Sequence, residues 1–241
     1  MIVVLAVLAT VVAGAIQRLT GLAFVLVLIG PAVLIYGPVE GVTVAVLLAV
    51  VAAAVAIPSG WRLIDWPRTW WLLGAGIVAA PFGALVTRLL PEAALLFMIS
   101  VMAIAALLTP RFGGPISAVL RGRRGAVYAG ATAGFLHASS GLSGPALAAY
   151  AVGDRWEQRR FAASAQVVFL GYGLVSVLLR GLPSAPVGEM VLLGLGTAAG
   201  ILLGALLTRV VPGRIARALM LWCAWAGVLV VLVRAFVAFA A

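Results

Sequence analysis

Apolar residues in this chain fall into long blocks separated by short polar breaks. The first block, Ile2–Tyr36, is too long for one ordinary span and is interrupted at Gln17-Arg18-Leu19-Thr20-Gly21. Unbroken blocks follow at about 41–57, 69–90 and 91–108. After a stretch rich in glycine and arginine, the pattern returns. Block 125–152 is interrupted at His137-Ala138-Ser139-Ser140-Gly141-Leu142-Ser143-Gly144-Pro145, and blocks at about 161–179, 187–211 and 215–239 complete the chain. A membrane-crossing helix needs about 20 apolar residues. In hydrocarbon the backbone must satisfy its own hydrogen bonds, so runs of this length are predicted to be helices. A β-barrel is excluded, because no ten-residue segment alternates polar and apolar positions.

Composition narrows the class. Hydrophobic residues make up 65% and charged residues 9%, with a mean hydropathy of +1.26. Soluble domains carry about 25% charged residues, so a water-soluble enzyme is excluded, and so is a disordered chain. Met1 to Ala15 lacks the basic n-region of a signal peptide and is read as part of the mature fold. The net charge of +10 comes from 16 arginines, with no lysine, against six acidic residues. These arginines sit singly or in small groups between apolar runs, which marks topology rather than a nucleic-acid partner. Trp66, Trp70 and Trp71 read as an interfacial belt. With one histidine and one cysteine, Cys223, no disulfide, metal cluster or cofactor is expected. No nucleotide fingerprint and no catalytic constellation is present, so the chain is not expected to be an enzyme.

The two halves repeat. Gly83-Ala84-Leu85-Val86-Thr87-Arg88-Leu89-Leu90-Pro91 matches Gly204-Ala205-Leu206-Leu207-Thr208-Arg209-Val210-Val211-Pro212 at six of nine positions, 121 residues apart. Ala13-Gly14 pairs with Ala133-Gly134, and Thr20-Gly21-Leu22 with Ser140-Gly141-Leu142, at a spacing of 120. Duplicated halves are a common mark of secondary transporters. The expected units are a first repeat, 1–110, a basic cytoplasmic linker, 111–124, and a second repeat, 125–241.

Arginine distribution decides between topologies. If every block crossed once, arginine would divide almost evenly between faces. If blocks one and five are hairpins that return to their own side, one face collects Arg62, Arg68, Arg111, Arg121, Arg123, Arg124, Arg155, Arg159, Arg160, Arg209, Arg214 and Arg217. The other keeps Arg88, Arg180 and Arg234. The positive-inside rule favours the second arrangement. Each half then has a hairpin plus three crossings, an odd number, so the halves are inverted with respect to each other and both termini lie outside. The arms of the second hairpin, about 14 and 12 residues at about 1.5 Å each, fall short of a ~30 Å core. The expected fold is therefore an all-α polytopic bundle of two inverted repeats, each a re-entrant helical hairpin plus three transmembrane helices.

Opposed hairpin tips would meet near the midplane, where helix N-termini favour anions. Ser139, Ser140 and Gly141 are expected to open the second arm of the second hairpin, with Ser143 and Gly144 just beyond. Thr20 and Gly21 offer the same pattern in the first. Arg18 is a functional candidate because intramembrane arginine is costly; its readings are pairing with an anion, snorkelling to an interface if the hairpin spans, and a buried structural role. His137 aligns with Gln17, and its readings are substrate contact, proton carrier or helix-end hydrogen bond. Gln166 is a lone amide facing either the same cavity or a neighbouring helix.

The duplicated layout resembles the sulfite exporter TauE/SafE family of bacterial membrane proteins. The carriers are Ala133-Gly134 through Ser139-Ser140-Gly141-Leu142-Ser143-Gly144-Pro145, the arginine-rich entry to the next block, Ala13-Gly14 through Thr20-Gly21, and Pro31, Pro38 and Glu40. The first half departs from that pattern, its glycine-rich tip being reduced to Gly21-Leu22-Ala23-Phe24. The resemblance implies a multi-pass transporter of the bacterial inner membrane for sulfite, sulfoacetate or another organosulfonate. The expected mechanism is alternating access coupled to a proton or sodium gradient, with the lipid bilayer and a possible second copy as partners. A passive anion channel and a non-transporting scaffold are the alternatives.

Overall fold

The computed structural model describes residues 2–208 and 210–240, with the side chains at 106, 109–119, 239 and 240 outside the description. Arg209, counted in the topology and the repeat, lies outside the described residues, as does the side chain of Arg111. Ten α-helices and a 3-10 turn at Trp61–Leu63 make up the described chain, which contains no strand. They are α1 (Ile2–Thr20), α2 (Phe24–Tyr36), α3 (Pro38–Gly60), α4 (Trp66–Leu89), α5 (Glu92–Val119), α6 (Gly122–Ser140), α7 (Gly144–Gly153), α8 (Gln158–Arg180), α9 (Val187–Leu207) and α10 (Gly213–Ala240). Among the described residues, α1, α3, α4, α8, α9 and α10 are each long and apolar enough to cross a membrane, with α2 and the first part of α5 as shorter apolar helices.

Both broken blocks are helical hairpins. Gly21, at φ +88°, ends α1, and Gly141, at φ +76°, ends α6. L-residues with a Cβ avoid this left-handed region, and glycine there lets the chain leave a helix in one step. The Gly21 amide donates to Gln17 O at 2.6 Å and the Gly141 amide to His137 O at 2.9 Å. Pro145, which needs no amide partner, then sits in the first turn of α7. Ser139 and Ser140 therefore close the first arm of the second hairpin, and the expectation that they open the second arm is corrected. The first arm is correspondingly longer than expected, 19 residues against 10 in α7. Residues 111–119, expected as linker, continue α5, and the chain breaks only at Leu120 and Arg121. At the other expected boundary α9 ends at Leu207 rather than Val211, where the Thr208 hydroxyl donates to Ala205 O.

The tightest helix pairs join the two halves. α4 packs along α6, and α1 along α9. A Cβ on Gly14 would lie 2.8 Å from Thr197 O, and one on Gly204 2.7 Å from Ala15 O. In the other seam Gly134 meets the backbone of Gly76, and a Cβ on Gly130 would lie 2.5 Å from Leu72 O. Backbones this close exclude side chains, which is how membrane helices gain packing without a hydrophobic driving force. Successive contacts of Val7 with Gly196, Val11 with Gly200 and Ala15 with Gly204 advance together, so α1 and α9 run parallel. Large apolar side chains such as Val78, Phe82, Leu178 and Trp222 point outward, as a lipid-facing surface requires.

Polar clasps fix the hairpin ends. At the open end of the second hairpin, Asp154 accepts from the Gly122 amide at 2.9 Å and from Arg68 Nε at 2.8 Å, while Arg68 also pairs with Asp65 at 2.7 Å. The far ends of α6 and α7 thus come together beside the start of α4. At the open end of the first hairpin, the Tyr36 hydroxyl donates to Glu189 in the first turn of α9. Glu40 accepts from Ser184 Oγ at 2.9 Å and from the Ala185 amide at 3.3 Å. The two hairpins consequently open at opposite ends of α8.

Candidate functional site

The turns of the two hairpins touch. A Cβ on Gly144 would lie 3.3 Å from Leu22 O and 3.8 Å from Leu22 Cβ, and one on Gly141 would lie 2.8 Å from Val25 Cγ1. Neither N-cap residue, Ala23 of α2 or Ser143 of α7, caps its helix with its own side chain; the first amide of α2, that of Phe24, is taken by the Gln17 side chain instead. The uncapped start of α7 keeps its N–H groups free for an external acceptor.

The first turn is tied internally. Gln17 is buried; its Oε1 accepts from the Phe24 amide at 2.9 Å and its Nε2 donates to Gln166 Oε1 at 3.0 Å. Gln166 Nε2 in turn donates to Gly21 O at 3.0 Å and to Ala162 O at 3.2 Å. Each such bond contributes about 1 kcal/mol net, and a partner orphaned in the interior costs about 1–3 kcal/mol. The Thr20 hydroxyl donates to Ile16 O at 2.7 Å, within its own helix. Arg18 stands apart from this group. It is half-buried in the last turn of α1 with its Cβ against Gly204 of α9, and its guanidinium has no hydrogen bond or ion pair among the described residues.

The second turn is tied differently. His137 Nδ1 lies 2.9 Å from Ser143 Oγ. The Ser139 and Ser140 hydroxyls both donate to Leu136 O, at 3.2 and 3.0 Å. Arg180, at the end of α8, donates to Ala138 O at 3.0 and 2.8 Å and to Ser139 O at 2.9 Å. A guanidinium on these carbonyls neutralises the negative end of the α6 dipole inside the protein. His137 Nε2 has no partner, although the residue is 1% exposed. Its ring neighbours are Phe169 and Tyr172, with centroids 6.5 and 5.8 Å away.

Of the residues expected from sequence, the structure gathers Gln17, Gly21 and Gln166 around one turn and His137, Ser139, Ser140, Gly141, Ser143 and Gly144 around the other. Thr20 and Arg18 join neither hydrogen-bond group. Sequence reasoning missed Arg180, Tyr172 and Ser176 on α8. For Arg180 a signal existed, since it belongs to the arginine-poor set. All three of that set donate to main-chain carbonyls: Arg88 to Leu179 O at 2.6 Å, Arg234 to Val33 O at 2.6 Å, and Arg180 as above. The other set is exposed at every described position except Arg68. Two cavities, one between α1, α2 and α3 and one beneath Trp61, Trp66 and Trp70, include none of the expected site residues. Among the described residues no cluster of His, Cys, Asp or Glu could hold a metal ion.

Comparison with known families adds one finding. Residues 6–231 match the family described as sulfite exporter TauE/SafE. The chain belongs to that family. As a TauE/SafE chain it is a multi-pass helical membrane protein of a transporter family for sulfite-like anions, and the family is not enzymatic. No curated protein and no solved structure matches it.

Proposed function

We propose that this TauE/SafE chain carries sulfite or a small organosulfonate across the bacterial inner membrane, holding the anion between the two hairpin turns. The observation that carries this reading is the contact of Leu22 with Gly144, which brings the start of α2 against the uncapped start of α7. Such a start offers N–H groups and partial positive charge to an oxyanion without burying a full cation. Arg18, one turn from the first tip, draws the anion inward, and Thr20, Gly21, Ser139, Ser140 and Gly141 line its approach.

Two inverted repeats with re-entrant hairpins account for this arrangement. The Gly122–Asp154 bond supports a second hairpin that returns to the face it entered. The 10 residues of α7 rise about 15 Å, half of a ~30 Å core, which supports a turn near the midplane. Exchanging α1–α5 with α6–α10 turns the α1–α9 pairing into α6–α4 and α2–α10 into α7–α5, and leaves α3–α8 and α5–α10 unchanged, so the packing scheme supports a pseudo-two-fold axis.

The touching turns must part to admit substrate, so the site is closed here and alternates its access, with both termini outside. A proton or sodium gradient drives the cycle. Purified protein in liposomes should accumulate sulfite or sulfoacetate only under an imposed gradient of one of these ions. Equal flux without any gradient would make it a passive channel, and no flux of any anion would remove the transport reading.

A further inference from the structure

Among the described residues only three buried side-chain polar atoms lack a partner: His137 Nε2, Ser176 Oγ and Trp156 Nε1. Trp156 belongs to the Arg68–Asp154 end of the molecule. The other two share one region. Gly173 of α8 faces the imidazole, since a Cβ there would lie 3.8 Å from His137 Nε2. Arg180, seven residues on, reaches Ala138 and Ser139 at the end of α6. Ser176 is one turn beyond Gly173 on the same side of α8, between these two fixed contacts, and is 0% exposed. Folded proteins seldom leave buried polar atoms empty, and two together call for a ligand. The matching position of the first hairpin shows the filled counterpart. There Gln17 reaches Gln166 on α8. The residue 120 positions before Gln166 is Val46, which lies against Gly141 and offers the second turn no polar group.

We propose that His137 Nε2 and Ser176 Oγ form the seat for one oxygen of the transported oxyanion, with α8 rather than the hairpin tips alone supplying the decisive contact. With the Ser143 hydroxyl donating to Nδ1, the imidazole carries its proton on Nε2, and both empty atoms donate. Two donors aimed at one place fit a deprotonated oxygen of a sulfite-like anion. The seat rests on the transport reading above and names two of its contacts.

The test is equilibrium sulfite binding to the purified full chain, with the unliganded melting temperature measured alongside. Ser176→Ala should weaken binding about tenfold while leaving the unliganded melting temperature unchanged or raised, because it removes an unpaired hydroxyl rather than a bond. His137→Asn, which keeps an amide near the Nδ1 position facing Ser143 but has nothing at Nε2, should weaken it at least as much. A Ser176→Ala protein that binds sulfite within twofold of the parent overturns the seat and leaves the transport reading standing. A drop in melting temperature with unchanged affinity makes Ser176 a packing residue and overturns it as well. A parent protein that binds neither sulfite nor an organosulfonate overturns the transport reading and the seat with it.

Discussion

The two hairpin turns carry the same Gly-Leu pair 120 residues apart and the same left-handed glycine, yet they dispose of their polar groups in opposite ways. At the first turn Gln17, Gln166, Phe24 and Gly21 satisfy one another, and the turn is locked to α8. At the second, the aligned residue is His137, which keeps its Ser143 contact and leaves Nε2 empty. One turn is thus an internally bonded anchor and the other an open end. Rigidity on one side holds the other in place, which a site for a small anion needs if its donors are to be set before the ligand arrives.

The contrast breaks most directly at the anchor. Gln17→Leu leaves the Phe24 amide and Gln166 Oε1 without partners in the interior, and should lower unfolding stability by about 3 kcal/mol. Adding Gln166→Leu removes the stranded amide, so the double variant should cost less than the sum of the singles. Thermal or denaturant unfolding in detergent reads both, and strict additivity would mean the four groups do not act as one unit. Next in size is Arg180→Met, which strips the charge-assisted bonds from Ala138 O and Ser139 O and should cost about 2 kcal/mol. If its loss falls on sulfite affinity with stability intact, Arg180 touches the anion and does not serve as the cap of α6.

The open ends of the hairpins give a pH signature. Burial pushes the Asp154 carboxyl up, but the Gly122 amide and then the Arg68 guanidinium bind its ionised form and hold it below the usual carboxylate range. A group lowered in this way stabilises the fold above its ordinary value near 4 and loses that contribution as pH falls through the lowered one. Stability should therefore fall in acid, and Asp154→Asn should flatten that acid limb while starting from a lower plateau near neutrality. A parent-like acid limb in Asp154→Asn would assign the loss to other carboxylates. The smallest effect on folding belongs to Arg18→Ala. With no bond to lose, it should change stability by less than about 0.5 kcal/mol while slowing sulfite uptake, and unchanged uptake would return Arg18 to a purely peripheral place.

Much of this was legible in the sequence. Gly21 and Gly141 announced two bends, because a polar break ending in glycine stops a helix in any setting. The repeat of Gly14 at Gly134 was visible as a repeat, and only the fold shows each glycine lying in a helix seam. Local signals did not reveal how the bends were partnered. Ser139 and Ser140 read as an N-terminal motif, but their hydroxyls turn back to Leu136 and they finish α6. Gln166 was visible as a lone amide, whereas its bond to Gln17 spans 149 residues and exists only in the packed fold. Ser176 gave no signal at all, since a serine in an apolar helix is unremarkable until its surroundings leave the hydroxyl unpaired.

The claim on which the account turns, that the two tips meet and the anion passes between them, has a direct test. Leu22 Cβ lies 3.8 Å from the Cβ position of Gly144, within the ~3.5–4.5 Å that a disulfide requires. In a background with Cys223 replaced by serine, Leu22→Cys with Gly144→Cys should cross-link under mild oxidation, abolish sulfite flux in liposomes and regain it on reduction. Failure to cross-link, or full flux through the cross-linked protein, would contradict it.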